Sequence, residues 1–386
     1  MKVRIYGERL RDARVVQSLL SKDVADRAGI APSQLTRLER AAYTEVNEDT
    51  AERLAECLAF PLDFFSYEAV AYVKPGSTLF RARRTMPKRE EEQLHTWLRL
   101  AGEMLMATTS KVKIPSLALP ARMDFEDADS AAQATRRRFG LDEASPIPHL
   151  MRVMERNGIP IIALQIEADI AKHDAVSCWV GRTWGDLTEW PLTVVRVMDS
   201  WERTRFSVAH ELGHLVLHRN GAPEDKQAEQ EAFDFARSFM LPSGVLKELW
   251  PRAATLNSIM PIKAQYGMSL ASIIEHAWRT GLIDEDRRLN FYKQLSNRKD
   301  PRTGLRWREQ EPGHEDRDVE RPRLVARMSE AVFGDGLRLS EMSAATGYWP
   351  AIYIRRVLAS QIWSQKKAPT PTRSRADNVY KISERR

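Results

Sequence analysis

The stretch of residues 207–218 constrains the fold of this chain more than any other. It runs Ser-Val-Ala-His-Glu-Leu-Gly-His-Leu-Val-Leu-His and places His210 and His214 four residues apart. On a helix these two side chains lie one above the other on the same face, where one metal ion can bind a ring nitrogen of each. Glu211 is their neighbour, the position of a general base for a water molecule that the metal activates. The alternative is an apolar core helix with two hydrogen-bonded histidines.

A third ligand has to come from elsewhere, because a catalytic zinc site usually has three protein ligands and one open position. On a continuous helix His218 would lie about 12 Å from His210 along the axis, too far for one ion. We therefore predict that His218 packs beside the site. The next predicted helix, residues 224–240, carries Glu229 and Glu231 on the two flanks of its apolar stripe. Periodicity favours Glu229 only weakly.

The composition bounds the class of protein. A chain of 386 residues has room for two or three domains, and 43% of its residues are hydrophobic, an ordinary fraction for a globular protein. No apolar run reaches membrane-spanning length, and the N-terminus has no apolar signal core, so we expect a cytoplasmic protein without a membrane partner. Two cysteines are too few for a disulfide framework.

The first 65 residues have the pattern of several short helices. A predicted second helix ends at Gly29, and a third runs from Pro32 to about Arg40. This order of helix, glycine turn and short polar-faced helix is typical of a helix-turn-helix. The predicted outward-facing side chains of the third helix are Ser33, Gln34, Thr36 and Arg37.

Residues 21–40 resemble the phage-repressor-like, or XRE, helix-turn-helix family. The resemblance implies that the third helix enters the major groove of DNA, and that its outward-facing residues Ser33, Gln34, Thr36 and Arg37 read bases. The net charge of +6 is that of the whole chain and does not strengthen the prediction of DNA binding by the N-terminal helices. Residues 1–65 carry ten basic and eleven acidic residues, a net charge of −1. A helix-turn-helix that contacts only proteins therefore stays an alternative.

Residues 205–218 and 229–242 together resemble the ImmA/IrrE family of metallopeptidases. The resemblance extends through residues 173–180 and 266–282, and covers roughly residues 75–345. It implies a zinc ion bound by His210, His214 and a glutamate of the next helix, with Glu211 as general base. It also favours Glu229 over Glu231 as the third ligand.

One residue departs from that family. Phe233 occupies a position where the family often has Asn or Asp, which puts a polar contact beside the metal site in doubt. Members of the family are known for cutting a cognate repressor, which releases phage, mobile-element or stress-response genes, and a helix-turn-helix is a frequent partner domain.

The predicted fold class is α+β and predominantly α. A helix-turn-helix domain is predicted over residues 1–66, followed by a linker and connecting helix over 67–114. A zincin-like metallopeptidase domain with a small sheet follows over 115–299, and its strands are predicted near 159–164, 176–180 and 192–197. A charged loop, C-terminal helices and a basic tail complete the chain over 300–386.

Two functions stay open on the sequence. In the first, a zinc endopeptidase coupled to sequence-specific DNA binding cleaves a protein substrate, a DNA-binding repressor. In the second, a transcriptional regulator or antitoxin-like protein uses the peptidase fold as a sensor and cuts little or nothing. The long predicted helix near residues 86–108 packs either two domains or two chains together, so a homodimer is possible.

Overall fold

Helices make up most of the chain in the computed structural model, and the strands form two small sheets. The structure describes residues 1–73, 87–164, 174–182, 189–196, 200–219, 225–334 and 338–362. The predicted class, predominantly α with some β, is confirmed. Among the described residues no helix is both long enough and apolar enough to cross a membrane. The basic tail lies outside the described residues, and so does residue 173, the first of the segment 173–180.

The N-terminal 73 residues contain the predicted helix-turn-helix. Gly29 ends its first helix with a φ of 64°, a conformation that glycine adopts without strain. In chain order the elements are β1 (Lys2–Tyr6), α1 (Gly7–Val16), α2 (Ser21–Ala28), α3 (Pro32–Arg40), β2 (Tyr43–Asn47), α4 (Glu48–Leu58), α5 (Leu62–Ser66) and β3 (Tyr72–Val73). The strands β1 and β2 pair antiparallel, with Tyr6 opposite Tyr43, and the sequence did not predict them.

The rest of the chain adds twelve helices and three strands among the described residues. These are α6 (Lys88–Thr109), α7 (Ala128–Arg138), α8 (Leu150–Arg156), β4 (Ile161–Leu164), β5 (Ala175–Gly181), β6 (Trp190–Arg196), α9 (Trp201–Leu217), α10 (Asp225–Met240), α11 (Ser243–Leu249), α12 (Leu256–Tyr266), α13 (Leu270–Arg279), α14 (Glu285–Asn297), α15 (Leu324–Phe333), α16 (Leu339–Ala345) and α17 (Ala351–Ile362). The strands β4, β5 and β6 lie where the sequence predicts them.

The second sheet has the strand order β3-β5-β6-β4. Strand β4 runs parallel to β6, whereas β5 is antiparallel to both β6 and β3. Successive side chains of a strand point to opposite faces. Val176, Cys178 and Val180 of β5 therefore belong to one hydrophobic cluster, and Trp179 belongs to another. Both faces of this sheet are buried.

Among the described residues there are three hydrophobic clusters, and two of them form the cores on the two faces of this sheet. The first joins the helix-turn-helix, α6, one face of the sheet and the C-terminal helices, and includes Leu35, Trp97, Val194 and Trp349. The second lies on the other face of the sheet and contains the apolar side of α9, including Leu212. The helix-turn-helix thus shares its core with the sheet, and the sheet separates that core from the helix that carries the His-Glu-x-x-His sequence.

Helix α6 is the element that joins the helix-turn-helix to the sheet. Its side chains from Trp97 to Met106 are buried on all sides of the helix. A carboxylate on such a helix needs strong partners. Glu103 has them, because its oxygens pair with the Arg9 guanidinium at 2.7 Å and 2.9 Å, and neither side chain is exposed. The helix therefore packs parts of one chain together.

Glu103 also holds two other segments. The backbone N–H of Val70 donates to its Oε1 at 2.9 Å, and the indole N–H of Trp349 donates to its Oε2. Trp349 lies between α16 and α17, so one carboxylate connects the helix-turn-helix, the approach to β3 and the C-terminal helices. All its bonds are charge-assisted, which makes each stronger than a bond between neutral groups.

The charged segment after α14 packs against the third cluster, which contains Trp307 of that segment and Leu270 of α13. Lys263 of α12 is 2% exposed and its ammonium group pairs with Glu202 and, at 3.0 Å, with Glu311. Glu311 also accepts from the backbone N–H groups of Leu270 and Ala271, at the start of α13. A buried ammonium group needs such partners to offset its loss of hydration. The contacts of Glu311 with Lys263, Leu270 and Ala271 fix residue 311 beside the first turn of α13.

We predict that replacing Glu103 by Ala strongly destabilises the protein. The change leaves the Arg9 charge buried without its partner, a defect that costs about 3–5 kcal/mol. The measurement is the free energy of unfolding in urea. Glu92→Ala is a matched control, because Glu92 pairs with Arg11 between the same two helices at 2.7 Å but both side chains are at least 40% exposed. Its expected cost is below about 1 kcal/mol. Equal losses in the two variants would contradict the prediction.

Candidate metal centre

Helix α9 carries the candidate site and lies between the sheet and α10. Ser200 caps its first turn, where the hydroxyl accepts from the Arg203 N–H at 3.3 Å. Val208, Leu212 and Leu215 are buried in the second core. His210, Glu211 and His214 are on the same helix. Because the side chains of a helix follow one regular repeat, the packing of the apolar residues also fixes the directions in which these three side chains point.

Gly213 allows α9 and α10 to approach closely. A Cβ atom at this position would lie 3.0 Å from the Phe235 ring and 3.2 Å from backbone atoms of Ala232. Two of these contacts are to backbone, which has little room to move. The glycine therefore sets a short distance between the two helices, and this distance brings Glu229 of α10 to the histidines of α9.

Three side chains converge at this point. The Nε2 atoms of His210 and His214 are 3.1 Å apart, and the Glu229 carboxylate lies 3.5 Å from the first and 3.4 Å from the second. Ligand atoms bound tetrahedrally at about 2.1 Å are separated by about 3.4 Å. Two imidazoles and a carboxylate also match the donor set of catalytic zinc. The three residues therefore form a group that could hold a metal ion.

The charge of Glu229 is favoured in this arrangement. Burial raises the pKa of its carboxyl, but hydrogen bonds and charge interactions with His210 and His214 outweigh burial and lower the pKa well below its usual value. A deprotonated carboxylate is the form that binds a metal ion.

His218 lies behind the site, as the helix geometry predicts. Its Nδ1 is 3.0 Å from the Nδ1 of His214, and its Nε2 is 3.0 Å from Glu231 Oε2. When Nε2 of His214 is left free for a metal ion, its proton is on Nδ1 and donates to His218, whose own N–H then donates to Glu231. Glu231 is thus the end of a hydrogen-bond chain that orients His214, while Glu229 faces both histidines.

Glu211 is buried and is held by a residue that no sequence pattern singles out. The hydroxyl of Ser177, on β5, donates to Glu211 Oε2 at 2.7 Å. Burial raises the pKa of Glu211, and the His214 charge and the Ser177 bond offset only part of that rise. A carboxylate with a raised pKa accepts a proton more readily at neutral pH. Ser177 lies 34 residues away, so only the fold connects the two.

The other wall of the site is aromatic. The Phe233 ring centroid lies 4.3 Å from that of His210, and Phe206 stacks on Phe233 at 6.1 Å. Both phenylalanines are half-buried. Arg205, one residue earlier, is turned away and donates to the carbonyls of Ile147 and Pro148, at 2.5 Å and 3.2 Å. It holds the loop before α8 and takes no part in the site.

The predicted DNA-reading residues lie on the outer side of α3. Ser33 and Arg37 are exposed, Gln34 and Thr36 are half-exposed, and Leu35 and Leu38 are buried. A bidentate pair between Arg14 of α1 and Glu39, at 2.6 Å and 2.8 Å, fixes the third helix against the first. The arrangement leaves the face of α3 with the four predicted residues open to solvent.

We predict that Gly213→Ala destabilises the protein, because the new methyl group forces α10 away from α9. Overpacking of this kind costs about 1–3 kcal/mol, measured as the free energy of unfolding in urea. Gly244→Ala in α11 is the control, since a Cβ there meets no atom within 4 Å. This control is expected to gain up to about 1 kcal/mol from helix propensity. A Gly213→Ala variant as stable as the control would show that the helices are not in close contact.

Two family models match the chain. Residues 191–277 match the IrrE N-terminal-like domain of Peptidase M78, and residues 10–65 match a helix-turn-helix model. The first match includes α9 and α10, and the second includes α2 and α3. No curated protein matches the chain. The matches support a DNA-binding regulator with a domain of a metallopeptidase family. The two matches support the architecture of an XRE-type helix-turn-helix followed by an IrrE N-terminal-like peptidase domain.

Proposed function

We propose that the chain is a zinc endopeptidase coupled to sequence-specific DNA binding. It cleaves a cognate transcriptional repressor and so switches on stress, phage or mobile-element genes. The observation that carries the proposal is the convergence of His210, His214 and Glu229 within hydrogen-bond distances of one another, next to the buried carboxylate of Glu211.

The donor set assigns the roles. His210, His214 and Glu229 would hold a zinc ion, which would polarise a peptide carbonyl and lower the pKa of a water molecule. Glu211 would accept a proton from water and pass it to the leaving amine. Its raised pKa suits both transfers, since it brings the pKa closer to neutral pH. Ser177 holds Glu211 Oε2, so the carboxylate cannot rotate freely while the proton moves.

A peptide substrate is expected to add to the sheet beside this site. Within the described part of the chain, β3 pairs with β5 only at Val180 and Gly181. The same edge of β5 continues from Trp179 to Ala175 and includes Ser177. An extended peptide can bind such an edge through its backbone, which would place a peptide bond near Glu211.

DNA binding would bring the peptidase to its substrate. The match to a helix-turn-helix model supports DNA binding, and the open face of α3 carries Ser33, Gln34, Thr36 and Arg37. The helix-turn-helix shares one hydrophobic core with the sheet. A repressor bound at a neighbouring DNA site would therefore be presented to a peptidase domain that is held at a fixed position.

We expect Glu211→Gln to abolish cleavage without loss of metal. The amide keeps the size of the side chain but cannot accept the proton, and general-base catalysis contributes about 10²–10⁴-fold. The purified chain is incubated with the repressor encoded by the neighbouring gene, and fragments are identified by mass spectrometry. Cleavage that persists in the variant would refute the role of Glu211 as general base. A wild-type chain that does not cut the repressor would support the alternative, a regulator whose peptidase fold is a sensor.

Two further variants separate loss of the general base from loss of the metal. Glu229→Gln is expected to lose both bound zinc and cleavage, because an amide is a poor zinc ligand. Glu231→Gln changes only the last residue of the hydrogen-bond chain behind His214. This variant is expected to bind one zinc ion per protein molecule, as the wild type does. The opposite pattern would make Glu231 the third ligand.

We expect the double variant Gln34→Ala, Arg37→Ala to lose sequence-specific DNA binding. Each lost contact to a base edge weakens binding by about 1–3 kcal/mol. The measurement is the affinity for a sequence selected from random DNA by the wild-type chain, at fixed salt concentration. Arg302→Ala is the control, since it removes the same charge from a side chain that is 82% exposed and distant in the sequence. A double variant that binds the selected sequence as well as this control would refute the assignment.

A further inference from the structure

The two histidines of the candidate metal centre differ in what lies behind them. The Nδ1 of His214 has the Nδ1 of His218 at 3.0 Å, and His218 is in turn bound to Glu231. The Nδ1 of His210 is buried and has no hydrogen-bond partner within the described residues. His210 as a whole is 8% exposed, so water does not readily replace the missing partner.

Phe233 lies against His210, and an aromatic ring and a guanidinium lie against Phe233. The Phe233 ring centroid is 4.3 Å from the imidazole centroid. Beyond it, Phe206 stacks on the same ring at 6.1 Å, and the Arg237 guanidinium lies 5.7 Å from it. Asp234, the adjacent carboxylate, is bound to Arg237 at 2.6 Å. A phenylalanine side chain has no lone pair. Neither Phe206 nor Phe233 can therefore accept a hydrogen bond from the Nδ1–H of His210 in the plane of the imidazole ring.

This difference matters for a metal ligand. When Nε2 binds a metal ion, the ring proton is on Nδ1, and an acceptor for that proton raises the basicity of the ligand and fixes the ring orientation. Loss of such a partner typically weakens metal binding about 10–100-fold. Packing against Phe233 can fix the orientation of the His210 ring, but it cannot raise its basicity.

We propose that Phe233 sets the metal affinity of this site by holding His210 through ring packing without a hydrogen bond. The inference rests on the proposed function, because it takes His210 as a metal ligand. Phe233 is a positioning residue. The site binds zinc more weakly than a site in which the Nδ1–H of each histidine has an acceptor. A side chain at position 233 that accepts this hydrogen bond from His210 increases the affinity for zinc.

The test is the zinc dissociation constant of the full chain, measured by competition with a chromophoric chelator at fixed pH. The variants are Phe233→Asn and Phe233→Asp, which offer an acceptor, and Phe233→Leu, which offers none. Comparison with Leu removes the effect of losing the ring. We expect the Asn and Asp variants to bind zinc about 10–100-fold more tightly than the Leu variant, and more tightly than the wild type.

The outcomes separate this inference from the proposed function. If the wild type, Phe233→Asn and Phe233→Leu bind zinc with the same affinity, the inference is overturned but the proposed function is not. Zinc binding by Phe233→Asn but not by the wild type supports the inference and counts against a wild-type zinc peptidase. Absence of binding in every variant overturns both.

A second measurement needs no variant and so does not depend on folding of the substituted chains. Imidazole N–H resonances of the zinc-loaded wild type are recorded by proton–nitrogen NMR. The Nδ1–H of His214 is expected to be shifted downfield by its bond to His218, whereas that of His210 is not. A downfield, exchange-protected Nδ1–H on His210 would reveal an acceptor and overturn the inference.

Discussion

Both faces of a sheet of only four strands are buried, and the arrangement of the molecule depends on this. Val176 and Cys178 require apolar cover on one face, and Trp179 requires it on the other. Helix α6, the helix-turn-helix and the C-terminal helices cover the first face, and α9 covers the second. The strand that carries Ser177 is therefore in contact with both cores. A change in packing on the DNA-binding side has a direct physical path to the carboxylate of Glu211.

The candidate metal centre depends on one close contact between two helices. Without a side chain at Gly213, α9 and α10 approach until Glu229 lies within 3.5 Å of both histidines. The same approach places Glu231 beside His218 and Phe233 beside His210. One glycine thus arranges both the three candidate ligands and the groups behind them, although those groups are chemically unlike. The polar side and the aromatic side of the site have the same structural origin.

The sequence predicted the parts of this structure that depend on local periodicity. The spacing of His210 and His214 and the helix geometry that excludes His218 follow from one helical repeat. The choice between Glu229 and Glu231 as the third ligand did not follow from that repeat. Both residues flank the same apolar stripe, and only the position of α9 distinguishes them. Ser177 was missed since a serine in a strand carries no local signal. Strands β1 and β2 were missed because each is five residues long with a charged outer face.

The carboxylate of Glu103 has a consequence for how such a protein can evolve. A helix-turn-helix is often regarded as a portable module that gene fusion can attach to any partner. Here the module contributes Arg9 to an ion pair that is completed by a helix outside it and by Trp349 near the other end of the described chain. A replacement module without an arginine at that place would leave a buried negative charge. Under the proposed function, exchange of DNA specificity would therefore be confined to substitutions on the face of α3, within a module that keeps its own first helix.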